Sequence, residues 1–233
     1  MALKKYFISI LVLSLIAVLW TSIYFLQVSI DNHFSPQQIE KMLYLPSGKF
    51  IKSLCLGFDH VVADILWIKA VGYFGAHVKS DRNYPWLYHI LDLITTLDPL
   101  FRYPYEFGAI ILSLEADNVH QSISILKKGI KYHPDYWKLY FYLGFDYFYI
   151  LKEPTIAADY IAKAAVLPGH PPYLPRLAAS LYTVSKGKDT ALLFLKQIYE
   201  NTEDEGIRRM IEKKINELKQ GKLSPTLIEH LSK

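Results

Sequence analysis

The first pattern along the chain is a long run with no polar interruption by charge. From Tyr6 to Val28, YFISILVLSLIAVLWTSIYFLQV, no residue is charged. At about 1.5 Å per residue, a helix of that length reaches roughly 34 Å, enough to cross the hydrocarbon core of a bilayer with some tilt. A cleaved signal peptide has a shorter apolar core that ends in small residues. This run instead closes on Tyr24, Phe25, Leu26, Gln27 and Val28, with Trp20 and Tyr24 suited to the membrane interface. The pattern predicts an uncleaved anchor over 1–30. Lys4 and Lys5 precede the run and the first charge after it is Asp31. The positive-inside bias then places the N-terminus in the cytoplasm and everything after Val28 outside it.

Beyond the anchor the apolar positions become periodic. Residues 31–57 read as a juxtamembrane helix and connector. From Phe58 onward, helical spacing recurs between regular turn signals: LDP ends at Pro99, YHP at Pro134, and LPG contains Pro168, giving spacings of 35 and 34. Each signal follows one apolar helical stretch and precedes another, which carries a small residue about ten positions on: Gly108, Gly144 and Ala179. An interval of this size is the mark of stacked helical units. Each unit divides in two. The middle one predicts a helix over about 136–151, then a stop at KEP, where Pro154 disfavours helix at Glu153. Its second helix covers about 156–166, and Ala157, Ala158, Ala162, Ala164 and Ala165 make it thin enough for close packing.

The neighbouring units repeat the design. YLPRLAASLYTVSKG is followed by DTALLFLKQIYEN, with Asp189 or Thr190 as N-cap. The unit before reads FRYPYEFGAIILSLEAD, then VHQSISILKKGIKYHP. An earlier pair, FDHVVADILWIKAVGYFGAHV and YPWLYHILDLITTLDP, starts the stack in divergent form. TEDEGIRRMIEKKINELK reads as a charged capping helix in which Thr202 and Glu205 form a capping box. SPTLIEHL predicts a short last helix, with Ser224 as N-cap and Pro225 at the first helical position. The helical-repeat domain therefore spans 58–217, and 218–233 form a short C-terminal helix and tail.

These positions resemble the tetratricopeptide repeat (TPR) family, in which a unit of about 34 residues folds as two antiparallel helices. The middle unit supplies Tyr140, Leu143, Gly144, Tyr147, Ala157, Ala164 and Pro168 at the family's positions, with about one residue inserted between the helices. The flanking units match more loosely, through Phe107, Gly108 and Pro134 in one and Ala179, Tyr182, Gly187 and Ala191 in the other. The stretch LGFDHVVADILWIKAVGYFG also looks like the opening of a set of membrane-anchored bacterial TPR proteins. The resemblance implies an all-α chain: an N-terminal transmembrane helix, then an α-solenoid of three to four TPR-like hairpins.

The segment KYHPDYWKLYFYLGFDYFYIL, Lys131 to Leu151, is nearly half aromatic. Tyr136, Leu139, Leu143, Tyr147 and Ile150 make one helical stripe, and Trp137, Tyr140, Gly144 and Phe148 a second; both read as core. A third stripe, Lys138, Phe141, Phe145 and Tyr149, follows the phase of the TPR groove. The same phase adds Arg102 and Tyr105 before it, and Tyr173, Arg176 and Ser180 after it. Such an aromatic, mildly basic trough suits an extended or helical peptide, with rings as anchors and cations for carboxylates. Packing of the third stripe against a neighbouring helix is the alternative.

Charge removes one class of partner. The net value is +4, and without Lys4 and Lys5 the chain holds 24 basic against 22 acidic residues, too even for nucleic acid. The single cysteine, Cys55, permits no internal disulfide. His60 and Asp64 stand four apart on one helical face, but two ligands are too few for a metal site. PSGKF, 46–50, lacks the first glycine and the hydroxyl residue of a phosphate loop. His77, His120, His133 and His170 sit singly, and Lys127, Lys128 and Lys131 form a basic helix end favoured by the helix dipole. No catalytic group, metal, cofactor or small-molecule substrate is expected. The expected role is that of an anchored extracytoplasmic scaffold binding a protein or peptide client. Alternatives are an assembly or maturation chaperone for a secreted or cytochrome-type client, a layout shared by anchored TPR proteins of cytochrome c assembly, and a purely structural subunit.

Overall fold

A computed structural model describes residues 2–33, 46 and 48–221, with side chains over 11–29, 46, 48 and 50–221. Among the described residues there are eleven α-helices, one π-turn and no strand. Helix α1, Ala2–His33, contains the uncharged run; it is long and apolar enough to cross a membrane, and none of that stretch is buried. The predicted anchor of 1–30 is thus continuous helix from residue 2, ending three residues later than expected.

The remaining helices are α2 (Gly48–Leu54), α3 (Asp59–Val78), α4 (Leu87–Leu97), α5 (Tyr103–Leu114), α6 (Val119–Tyr132), α7 (Trp137–Phe145), α8 (Pro154–Ala164), α9 (Leu174–Ser185), α10 (Lys188–Asn201) and α11 (Glu205–Lys219). From α3 to α11 each helix packs on the next in sequence, and α5 also touches α7. Short connections force this order, since successive helices must double back and bury their apolar faces on one another. Residues 34–45, part of the expected juxtamembrane segment, and the helix expected from Ser224 lie outside the described residues.

The 35-residue interval is visible in hydrogen bonding. The Tyr105 hydroxyl donates to the Pro99 carbonyl at 3.1 Å, and the Tyr140 hydroxyl to the Pro134 carbonyl at 2.9 Å. Each bond ties the start of one helix back to the turn that introduces it. The small residues recur for a steric reason. A Cβ on Gly108 would stand 2.9 Å from Leu91, and one on Gly144 only 2.7 Å from Ile161 with the Ala157 carbonyl at 3.2 Å. Ala179, at the third equivalent position, is fully buried.

Two hydrophobic cores result, and α7 is the wall between them. The first gathers α3 to α6 around Leu87, Leu91, Ile94, Leu112, Ile125 and Leu126, and takes Leu139 and Leu143 from α7. The second gathers α8 to α11 around Ala158, Ala164, Ala178, Ala179, Leu195 and Ile211. Tyr136, Tyr142 and Tyr147 pack on the first core, whereas Trp137, Tyr140, Phe141 and Phe148 pack on the second. The aromatic density of α7 is the consequence of serving two cores at once.

Helix α7 does not run unbroken to residue 151. It passes at Asp146 into a π-turn, Asp146–Ile150. The wider turn brings residues four apart nearly into line, and the Phe145 and Tyr149 rings stack at 5.3 Å with 15° between their planes. It also turns Asp146 inward, where only 1% of its surface remains exposed. Ser122 of α6 lies 2.5 Å from the Asp146 carboxylate and 3.1 Å from the Ala109 carbonyl. Burial pushes the Asp146 carboxyl up to about 6, against the opposing pull of hydrogen bonds from Ser122 and Ser113.

Two capping expectations and one helix start are corrected. Helix α10 starts after Gly187, which holds a φ of +90° that glycine adopts freely, and neither Asp189 nor Thr190 is the cap. Helix α11 is capped by Asp204, whose side chain accepts from the Gly206 and Ile207 amides, in place of a Thr202–Glu205 box. Helix α8 begins at Pro154, with the proline in the first turn where its missing N–H costs nothing.

Candidate functional site

The predicted surface divides on inspection. Tyr105 and Ser180 are buried, Tyr105 fully so in the first core, and neither lines a surface. The Tyr105 hydroxyl is committed to Pro99, and burial raises it well above the ordinary tyrosine range. The Ser180 hydroxyl donates to the Arg176 carbonyl one turn back. Phe141 is half-buried against the second core, edge-on to Trp137 and Tyr142, so it is packing more than platform.

The other predicted residues stay accessible. Arg102 is exposed and lies 5.2 Å above the Tyr136 ring. Lys138 reaches Glu106 of α5 at 2.9 Å, and the Tyr136 hydroxyl donates to the second oxygen of that carboxylate. These partners hold the Lys138 ammonium above its usual range. Phe145, at the end of α7, and Tyr149 of the π-turn form the stacked pair, with Tyr149 48% exposed and Lys152 5.4 Å over its ring. Tyr173, immediately before α9, is 50% exposed. Arg176 stands 4.0 Å from Glu217 of α11, which also lies 3.8 Å from the buried Lys214 ammonium.

The sequence reading missed Tyr142. Its hydroxyl lies within electrostatic reach of Glu106, Lys138 and Tyr173. Burial is the largest cause of its raised pKa. The signal was available: Tyr142 follows Lys138 by four, one turn on, and the accessible line on α7 runs Lys138, Tyr142, Phe145, Tyr149. On α5 the matching accessible positions are Glu106 and Ile110, not Tyr105. The predicted phase was therefore displaced by one residue on α5.

Two clefts open at the edge formed by the inter-helix turns. One of about 560 Å³ is lined by Arg102, His133, Asp135, Tyr136 and Trp137, and one of about 810 Å³ by Leu167, His170, Phe194, Ile198 and Asp204; Pro168 and Gly169 border both. Of the predicted surface residues, Arg102 lines the first of these two clefts.

The His60–Asp64 pairing is replaced. The His60 imidazole Nδ1 lies 2.9 Å from Asp98 at the end of α4, and that hydrogen bond raises its pKa. His77 pairs with Asp81 at 2.6 Å, and His133 Nε2 stands 3.2 Å from the Pro99 carbonyl. Cys55 is buried in the turn between α2 and α3. Among the described residues, no three His, Cys, Asp or Glu side chains gather as a metal would require. The chain matches no protein-family model, no curated protein and no solved structure.

Proposed function

We propose that this chain is a membrane-anchored, TPR-like helical scaffold that binds a protein or peptide partner along the accessible aromatic line of α5, α7 and α9. In this reading α1 crosses the inner membrane with its N-terminus in the cytoplasm, and the helical domain works in the periplasm. The observation that carries the proposal is the Phe145–Tyr149 stack beside Tyr142 and Tyr173. Phe145, Tyr149 and Tyr173 remain accessible although both cores are filled without them, and Tyr142 packs on the first core while staying partly exposed. Exposed aromatics with neighbouring cations are the composition of partner-binding hot spots. Lys138 and Arg176 on this face are paired with Glu106 and Glu217, and Lys152 over the Tyr149 ring is the cation placed to meet a carboxylate of a partner segment. Tethering by α1 raises the effective concentration of that face toward clients at the membrane.

A photo-crosslinking residue placed at Tyr149 or at Tyr173, in the full-length membrane-bound protein, tests the reading. Both positions are expected to yield the same discrete adduct, with none from a control at Lys127 on α6. Joint replacement of Phe145, Tyr142 and Arg176 by alanine is expected to abolish the adduct while the helical content is retained. Equal adducts from Lys127, or an adduct unaffected by the triple substitution, would refute it.

A further inference from the structure

Helix α3 is apolar on two opposite sides, and among the described residues only one of them has a protein neighbour. Ala63, Leu66, Ala70 and Tyr73 are buried on the side packed against α4. On the other side Val61, Ile65 and Ile68 stand exposed, Ile68 by 67%. Gly72 and Gly75 continue that line, and a Cβ on either would meet nothing within 4 Å. At about 100° per residue these five positions fall within a stripe roughly 80° wide. Asp64 borders it on one edge and Lys69 on the other, both exposed. The same exposure continues backward through Phe58, Leu54 and Phe50. Between them Leu56 holds a φ of +49° with 87% of its surface exposed. A leucine at a left-handed turn tip is strained and gains nothing from water, so an apolar medium is the setting in which this turn is favourable.

We infer that this face of α2 and α3 rests in the interfacial layer of the bilayer that α1 crosses, and so holds the helical domain down at its N-terminal end. The inference rests on α1 being the anchor. Chain connection selects lipid over other occupants. Helix α1 ends at His33 and α2 starts at Gly48. The 14 residues between them span at most about 50 Å, so the apolar face cannot leave the neighbourhood of the membrane. Helix α3 is long and apolar enough to cross a bilayer by itself. Spanning is nevertheless excluded, because Asp59, Asp64 and Lys69 would enter the hydrocarbon and α4 covers the opposite side. Lying in the interface plane satisfies both sides: the stripe enters the acyl boundary while Asp64 stays at headgroup level, and Lys52 and Lys69 extend their ammonium groups to the same level.

The test uses the full-length chain, carrying Cys55→Ser, in vesicles of phosphatidylcholine and phosphatidylglycerol. A fluorophore is attached at Ile65→Cys, or at Lys196→Cys on α10 as a control. Nitroxides on the lipid acyl chains are expected to quench the Ile65→Cys label, at a depth of ~5–10 Å below the headgroups, with loss of quenching by aqueous iodide. The Lys196→Cys label is expected to show the reverse. Moving the label to Val61→Cys and adding Ile68→Glu, at an exposed position the fold does not need, is expected to remove the nitroxide quenching while circular dichroism stays unchanged. Quenching of the Ile65→Cys label by iodide would overturn the inference. Protection from both quenchers would overturn it too, showing a second copy or α1 on the face. Alkaline carbonate separates the two layers of the reading: release of the protein refutes the anchor and the face together, whereas retention with iodide quenching refutes the face alone.

Discussion

The two cores of this chain are filled by opposite means. Between α3 and α6 the interior is built from bulk, with Leu87, Ile90, Leu91, Leu93, Ile94, Leu112, Ile125 and Leu126 all nearly or fully buried. Between α8 and α10 it is built from closeness, with Ala157, Ala158, Ala164, Ala165, Ala178, Ala179 and Ala191 all fully buried. Helix α7 faces both, and its large rings supply the volume that the alanine-rich α8 does not. The difference teaches where each half is vulnerable: the first to loss of side-chain volume, the second to gain of it.

The largest expected effect is in the bulky half. Leu112→Ala, at a fully buried position, is expected to cost about 4 kcal/mol of unfolding free energy, read by chemical denaturation of the detergent-solubilised protein. A cost near that of a surface leucine would mean that the first core collapses around the gap.

Next comes the carboxyl buried where the halves meet. The folded-state pKa of Asp146, at about 6, lies above its value of 3.8 in the absence of the fold. The proton therefore favours the folded state: the contribution is complete below about pH 4 and is lost as pH rises through 6. The difference corresponds to roughly 3 kcal/mol. Asp146→Asn is expected to remove this slope, so that the variant loses less stability than the parent between pH 4.5 and 7.5. Parallel profiles for the two proteins would show that the carboxyl is not desolvated.

The smallest of the three lies in the close-packed half. Ala178→Val adds two methyl groups where α9 is fully buried and is expected to cost about 2 kcal/mol, with Ala178→Gly costing about 1. If enlargement were neutral there while Leu112→Ala remained costly, both cores would be bulk-filled and the contrast would fail.

Much of this architecture was legible in the chain, and the exceptions have physical causes. The prolines at 99, 134 and 168 locate the turns because proline cannot continue a helix. The stripes headed by Tyr136 and Trp137 locate the two cores because side chains three and four apart share a face. The π-turn at Asp146–Ile150 was invisible, since one aspartate in an aromatic run is read as a surface residue until two serines from other helices are found to meet it. Tyr105 was placed on the surface by extending one phase across units, and its bond to Pro99 shows that an aromatic at the first turn of α5 folds back under the helix instead. Arg176 is exposed as expected, but its approach to Glu217 depends on α11, a tertiary contact that no local pattern encodes. His60 met Asp98 and not Asp64 for the same reason.

The division of α7 gives the molecule a built-in set of optical reporters. Trp67 and Trp86 pack on the first core, Trp137 packs on the second, and Trp20 lies in α1. Emission from Trp137 alone would thus follow detachment of α8 to α11, and emission from Trp67 and Trp86 the loosening of α3 to α6. A tug on the C-terminal end of the domain would register first as a red shift at residue 137, with Trp67 and Trp86 still packed in the first core.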